Sequence, residues 1–236
     1  DILSIDTTQA EALPGVRAVV TAADFAPVAP GDWNFLFNCR NVMAADKVLY
    51  RGHAVAAVAA INAHVAADAL ELIKVEYQIL PAVFEAKKAM APGAPILHGK
   101  LPEPSLVAGE APKKSPNVAN RFEVASGDVD EAFAASEVIV EKETSTVAVH
   151  QGYIEPHCGT AQWHGDGRLT VYSSSQGHFN VRDFTARIVG VPVSKVKAVQ
   201  LEIGGGFGAK LRVYSEPVAA LLARQAGAPV KLAMTR

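Results

Sequence analysis

Two short stretches carry the residue types from which a site could be built. One is Gly204-Gly205-Gly206-Phe207-Gly208-Ala209-Lys210, four glycines around a single aromatic. The other is Ser173-Ser174-Ser175-Gln176-Gly177, small polar residues closing on a glutamine. Glycines let a backbone approach a ligand closely, and a turn between a strand and a helix can present bare N–H groups to an anion. A glutamine at a strand end can offer its side-chain N–H to a ligand oxygen, although a capping role for the helix that follows is an equal reading. A third cluster, His150-Gln151-Gly152-Tyr153-Ile154-Glu155-Pro156-His157, holds two histidines and a carboxylate. Their spacing is no standard zinc pattern, and Pro156 biases Glu155 toward extended backbone, so a polar loop at a strand end is the simpler reading.

The glycine stretch fails as a nucleotide P-loop, because Ala209 precedes the lysine and Leu211 follows it, where glycine and a hydroxyl residue are required. It half fits a dinucleotide fingerprint, as Gly204-x-Gly206-x-x-Ala209, but no acidic residue ends a second strand about 20 residues on. A nicotinamide or flavin turn therefore stays open as an alternative, as does a purely structural connection in a non-catalytic domain pair.

These stretches need elements to position them. Apolar and β-branched runs predict strands at Ile2–Ile5, Val16–Thr21, Lys47–Tyr50, Ala54–Ala60 and Val75–Leu80. Helices are expected at Thr7–Leu13 and from Asn62, as N-cap, to about Ile73, while Asp24–Asn41 reads as a loop. Residues 91–116 are proline-rich and aperiodic, the composition of a linker. Beyond it, strands are expected at Val118–Ala125 and Glu137–Val149, and a helix after Asp128 runs to Ala135. A hairpin around Gly165-Asp166-Gly167 joins Gly159–His164 to Leu169–Ser174. A helix over Phe179–Val189 and a strand over Val196–Ile203 then lead into the glycine turn. A helix over Ser215–Arg224 and a strand over Pro229–Met234 complete the pattern. The fold class is α/β (α+β), with a first domain at 1–90 and a second at 117–236.

Composition narrows the function classes. At 236 residues with 50% hydrophobic, 19% charged and a net charge of −2, nothing suggests nucleic acid as a partner. The longest apolar run, Ala54–Ile61, is too short to span a bilayer. Cys39 and Cys158 are isolated thiols that suit a reducing compartment, so a cytoplasmic location is expected, with the periplasm as the alternative. Both ends look cut, and a fragment of a longer subunit is expected.

In order, the chain shows Leu13-Pro14-Gly15-Val16, Thr21-Ala22-Ala23-Asp24-Phe25, Asp46 to His53, Glu76-Tyr77 with Leu80-Pro81, and Gly127-Asp128-Val129. Glu155-Pro156-His157, Ser175-Gln176-Gly177 and Gly204–Lys210 follow. Together these resemble the molybdenum-binding subunit of the xanthine dehydrogenase/aldehyde oxidase family, over essentially the whole chain. The resemblance implies an α/β hammerhead domain lacking its first strands, then the start of a molybdopterin-binding domain. It implies molybdenum–molybdopterin, plain or in a dinucleotide form, and hydroxylation of a C–H carbon with oxygen from water. Partners would be the rest of the molybdenum subunit, a 2Fe-2S subunit and an FAD subunit. Gln176 matches the glutamine that hydrogen-bonds an oxygen ligand of molybdenum without being a direct ligand itself. Gly205, Gly206, Phe207 and Gly208 match the turn at the cofactor, with Phe207 walling the substrate pocket. Leu211 stands where purine oxidisers carry a glutamate, so an aldehyde or another aromatic heterocycle is the expected substrate, with a carbon monoxide dehydrogenase-like enzyme as alternative. The general-base glutamate of the family is expected C-terminal of Arg236, which leaves these residues alone without a catalytic base.

Overall fold

The computed structural model describes residues 1–99, 117–118 and 124–235. Residues 1–80 and 151–236 gather into one compact unit, and 81–150 into a second.

In the larger unit, β1 (Ile2–Asp6) pairs antiparallel with β4 (Lys74–Tyr77), and β2 (Val16–Thr21) pairs antiparallel with β3 (Ala56–Ala60). Helix α1 (Thr8–Ala12) joins β1 to β2. Helix α3 (Ala63–Glu71) is capped by Asn62, whose side chain accepts from Val65 N at 2.9 Å. A four-stranded sheet in the order β7-β6-β5-β8 comes from the second half of the chain. Its strands are β5 (Cys158–Trp163), β6 (Leu169–Ser173), β7 (Val196–Gln200) and β8 (Val230–Ala233). β6 and β7 run parallel through α6 (His178–Val189), and the remaining pairs are antiparallel. Gly190 ends α6 in the left-handed region, as a C-cap glycine does.

Helix α7 (Ser215–Ala226) organises the core. Val218, Ala219, Ala220, Leu221, Leu222 and Ala223 are all buried, so apolar side chains surround it on nearly every face. It packs against β5, β8 and α6 and also against β2 and β3, which joins the two halves of the unit in one apolar cluster. Its start is fixed by Glu216, a buried carboxylate: Oε1 accepts from Ser173 Oγ at 2.5 Å and Oε2 from Tyr214 N at 3.2 Å. The end of β6 and the start of α7 are thereby tied together, which fixes the start of the helix that follows the glycine turn.

The structure departs from the sequence reading in three places. Asp24–Asn41, expected as a loop, contains α2 (Trp33–Val42). Asp32 caps it by accepting from Phe35 N at 3.2 Å, and Phe35, Cys39 and Val42 recur at helical spacing on its buried side. Prolines before the cap mask that short signal. Lys47–Tyr50 forms no strand, because its backbone is used locally: Leu49 N donates to His53 Nδ1 at 3.2 Å, and His53 Nε2 donates to Arg40 O at 2.6 Å. That network makes His53 a neutral imidazole, and its burial lowers its pKa. Burial likewise raises the Cys39 thiol to about 12, so it is a packing residue and not a nucleophile.

Glu137–Val149, expected as a long strand, has no ladder partner among the described residues and is exposed throughout. Alternating valines give a segment strand propensity, but a strand exists only where another edge takes up its hydrogen bonds. The smaller unit contains α4 (Ala86–Ala89) and α5 (Val129–Ala135), with Asp128 capping α5 through Glu131 N at 2.9 Å. Most of the expected strand Val118–Ala125, and the linker from residue 100 to 116, lie outside the described residues.

Replacing Glu216 by alanine should orphan the buried Ser173 hydroxyl and the Tyr214 amide and cost about 1–3 kcal/mol. Glu216→Gln, which retains one acceptor, should cost less. Urea-unfolding midpoints on the intact protein check the order of the two.

Candidate functional site

The glycine turn is held from three directions by the residues around Glu155, Gln176 and His157. Lys210 is fully buried, its side chain 0% exposed, and its ammonium meets Glu155 Oε2 at 2.5 Å. The same oxygen accepts from Gly204 N at 2.8 Å. One carboxylate oxygen therefore fixes both ends of the turn, and Glu155 N adds a bond to Gly204 O at 3.3 Å. The Lys210 ammonium also lies over the Tyr153 ring, 5.2 Å from its centroid. Burial pushes the Glu155 carboxyl up, but the bonds from Lys210 and Gly204 and the lysine charge prevail, and its pKa lies below the ordinary value. A carboxylate held that way is a poor proton acceptor.

Gln176 braces the other side. Its Oε1 accepts from Gly208 N at 3.1 Å and Lys210 N at 3.3 Å, while Gln176 N and Ser175 Oγ donate to Lys210 O at 2.9 and 3.0 Å. Two backbone donors can be met only by the amide oxygen, so the side-chain orientation is determined by chemistry. Nε2 is left with its two donors and no protein acceptor among the described residues, on a residue that is exposed. The third brace is His157, whose Nε2 donates to Ala209 O at 3.2 Å; its Nδ1 then accepts from Tyr153 Oη at 3.1 Å. The ring lies edge-on to Tyr153 and Tyr214, at centroid distances of 5.5 and 5.4 Å.

These braces explain the glycines. A Cβ on Gly204 would sit 2.5 Å from Glu155 Cβ, one on Gly205 3.1 Å from Tyr153 Cβ, and one on Gly206 2.5 Å from Gln176 Oε1. Gly205 and Gly208 each have φ 91°, and between them Phe207 is held at φ 48° and is 72% exposed. A bulky residue in the left-handed region costs on the order of 1–3 kcal/mol. The amides of Gly205, Gly206 and Phe207 have no protein acceptor among the described residues, and a Cβ on Gly208 would meet nothing within 4 Å. Leu211 is half exposed just beyond. Of the sequence-predicted residues, Gln176, Gly206 and Gly208 are brought into contact, and Gly205 and Phe207 take positive φ in the same turn. Glu155 and Lys210 were visible in the motifs as residue types, but nothing in their 55-residue separation announced that they pair.

Residues 111–236 match the molybdopterin cofactor-binding domain, and residues 1–81 match the aldehyde oxidase and xanthine dehydrogenase a/b hammerhead domain. The chain belongs to the xanthine dehydrogenase/aldehyde oxidase family. It is 35% identical to a probable xanthine dehydrogenase subunit of Bacillus subtilis, over 100% of this chain and 29% of that protein. It is also 35% identical to the carbon monoxide dehydrogenase large chain of Afipia carboxidovorans, over 98% of this chain and 29% of the relative. Crystalline Cu,Mo-CO dehydrogenase in its carbon monoxide-reduced state superposes with a TM-score of 0.81 at 34% identity, over 100% of this chain and 30% of that one. The chain thus spans about three-tenths of the length of these relatives. As in other members of the family, its second half is of the molybdopterin-binding type. The turn fits such a group: unpaired amides and the Gln176 amide nitrogen are donors suited to an anionic, oxygen- and sulfur-rich cofactor. No described helix is long and apolar enough to cross a membrane.

Two outcomes follow from the packing. Gly204→Ala drives Cβ into the Cβ of a pinned residue and should cost more than about 1–3 kcal/mol. Gly206→Ala meets only the tip of Gln176; its cost should be smaller and largely vanish in a Gln176→Ala background, a coupling of about 0.5–3 kcal/mol in a double-mutant cycle.

The pH dependence has a definite sign. Because the folded-state pKa of Glu155 is lowered, its stabilisation is complete above the ordinary carboxylate value and is lost as pH falls through the lower, folded value. The stability gap between the wild type and Glu155→Gln should therefore be widest near neutrality and close on acidification, as thermal unfolding across pH will measure.

Proposed function

We propose that this chain is part of the molybdenum-binding subunit of a hydroxylase, and that the glycine turn and Gln176 border its molybdenum–molybdopterin. The observation that supports this most directly is the exposed Gln176 side chain, whose oxygen is committed to Gly208 N and Lys210 N while its nitrogen has no protein acceptor among the described residues. A bound cofactor would find Gln176 Nε2 and the amides of Gly205, Gly206 and Phe207 as donors, with Phe207 excluding water beside it. When bound, the molybdenum centre supplies two-electron oxidation of a C–H carbon with oxygen from water. In this reading the protein residues here orient and stabilise, and Glu155, held by Lys210, is not the base. The general-base glutamate that the family resemblance implies would lie C-terminal of Arg236.

Leu211 indicates the substrate class. It is half exposed directly after the turn and has no group with which to hold a purine, so an aldehyde or an apolar aromatic heterocycle suits it better. The likeness to Cu,Mo-CO dehydrogenase favours a second reading, oxidation of a small gas, which an apolar Leu211 also accommodates. Electrons would leave through 2Fe-2S and FAD groups on partner domains or subunits, as the family resemblance implies. A hammerhead domain at 1–90, a linker at 91–116 and a cofactor domain from 117 are part of this proposal; the two family models span 1–81 and 111–236.

Metal analysis of the intact native complex should find molybdenum; saturable nicotinamide binding without molybdenum would sink this reading. Gln176→Glu keeps an acceptor for both backbone amides and removes the outward donors. It should fold and load cofactor yet turn over about 10²-fold more slowly, the usual effect of removing one oxyanion-type donor. Unchanged turnover in a loaded variant would remove Gln176 from the site.

A further inference from the structure

We propose that Glu155 and Lys210 are positioning residues for the cofactor: the ion pair between the buried lysine and the partly exposed carboxylate holds the glycine turn in the shape that presents its amides and Gln176 Nε2. The inference rests on the reading that this turn borders molybdopterin.

The turn has little intrinsic reason to keep its shape. Four of its first five residues are glycine, the most flexible residue type, and the fifth, Phe207, is held in the left-handed region. Shape must come from outside, and it comes from Glu155 Oε2, which takes Gly204 N at 2.8 Å and Lys210 Nζ at 2.5 Å. The first and last residues of the turn are thus bound to a single atom. Lys210 transmits this to Gln176. Its N donates to Gln176 Oε1, and its O accepts from Gln176 N and Ser175 Oγ. If the Lys210 side chain leaves its buried position, its backbone moves too, and Gln176 loses the contacts that direct Nε2 outward. Neither charge needs to touch the cofactor. A buried cation also makes the arrangement close to all-or-none, because Lys210, 0% exposed, cannot remain in place without its carboxylate.

The test uses the intact complex with Glu155→Gln and Lys210→Met, and Trp163→Phe as control. The control loses one part-buried hydrogen bond, from Trp163 Nε1 to Ala220 O, away from the turn. Molybdenum and pterin are measured per folded chain, amide exchange is read over 204–210, and the electron paramagnetic resonance of residual molybdenum is recorded. Both pair variants should lose at least fivefold in cofactor content, exchange faster at Gly204, Gly208 and Lys210, and show a shifted spectrum. The control should keep wild-type loading and spectrum despite lower stability. Wild-type loading with an unchanged spectrum in the pair variants would overturn the proposal. Equal cofactor loss in the control, or failure of both pair variants to fold, would also overturn it by assigning the pair to stability alone. Wild-type protein without molybdenum would remove the functional reading and this proposal together, an outcome distinct from loaded wild type with loaded variants.

Discussion

A buried ammonium cannot stand alone, and much of the site follows from that constraint. Taking a lysine out of water costs several kcal/mol unless a counter-charge and hydrogen bonds replace the solvent. Lys210 is completely enclosed, so Glu155 has to be within contact, and the segment Tyr153–His157 has to lie against the turn. Once that is fixed, Tyr153 comes under the ammonium and His157 reaches Ala209 O. The end of β6 then closes the other side, through Ser175 and Gln176, on the backbone of the same lysine. Lys210 is therefore gripped by side chain and main chain at once. The start of α7, pinned by Glu216 to Ser173, keeps these segments in register with the sheet.

The glycine density has a different origin from the one that the sequence suggests. Glycines beside a ligand are commonly understood as making room for it. Here Gly204, Gly205 and Gly206 each make room for a protein side chain, namely Glu155, Tyr153 and Gln176. Only Gly208 faces open space, and its positive φ gives it a conformational role as well. Close packing from behind and access from in front are thus separate demands, met by separate glycines within five residues.

Legibility followed the range of the interactions. The strands Val16–Thr21 and Cys158–Trp163, the caps Asn62 and Asp128, and the stop at Gly190 are encoded by neighbours, and they could be read locally. Helix α2 was missed because its start is one Asp32 side chain amid prolines and aromatics. The strand expected at Glu137–Val149 shows the opposite error, since alternation reports a preference that only a partner edge can realise. In the site, Gln176 and the glycines were legible as motifs. The direction of the Gln176 amide was not, because it depends on which backbone donors arrive from 32 and 34 residues away. The polar loop Tyr153–His157 looked incidental for the same reason.

Phe207 is where local cost points most clearly to function. A large aromatic in the left-handed region pays in backbone strain, and at 72% exposure it gains little from burial. A fold selected for stability alone would place glycine or asparagine there. Gly205, two residues before it, and Gly208, next to it, both at φ 91°, already supply the flexibility a tight turn needs, so the phenylalanine is not there to shape the turn. What remains is the ring itself, carried on a rigid loop beside the unpaired amides and the outward nitrogen of Gln176. Strain retained at an exposed aromatic, next to donors with no protein acceptor among the described residues, is the arrangement expected where a ligand completes the site.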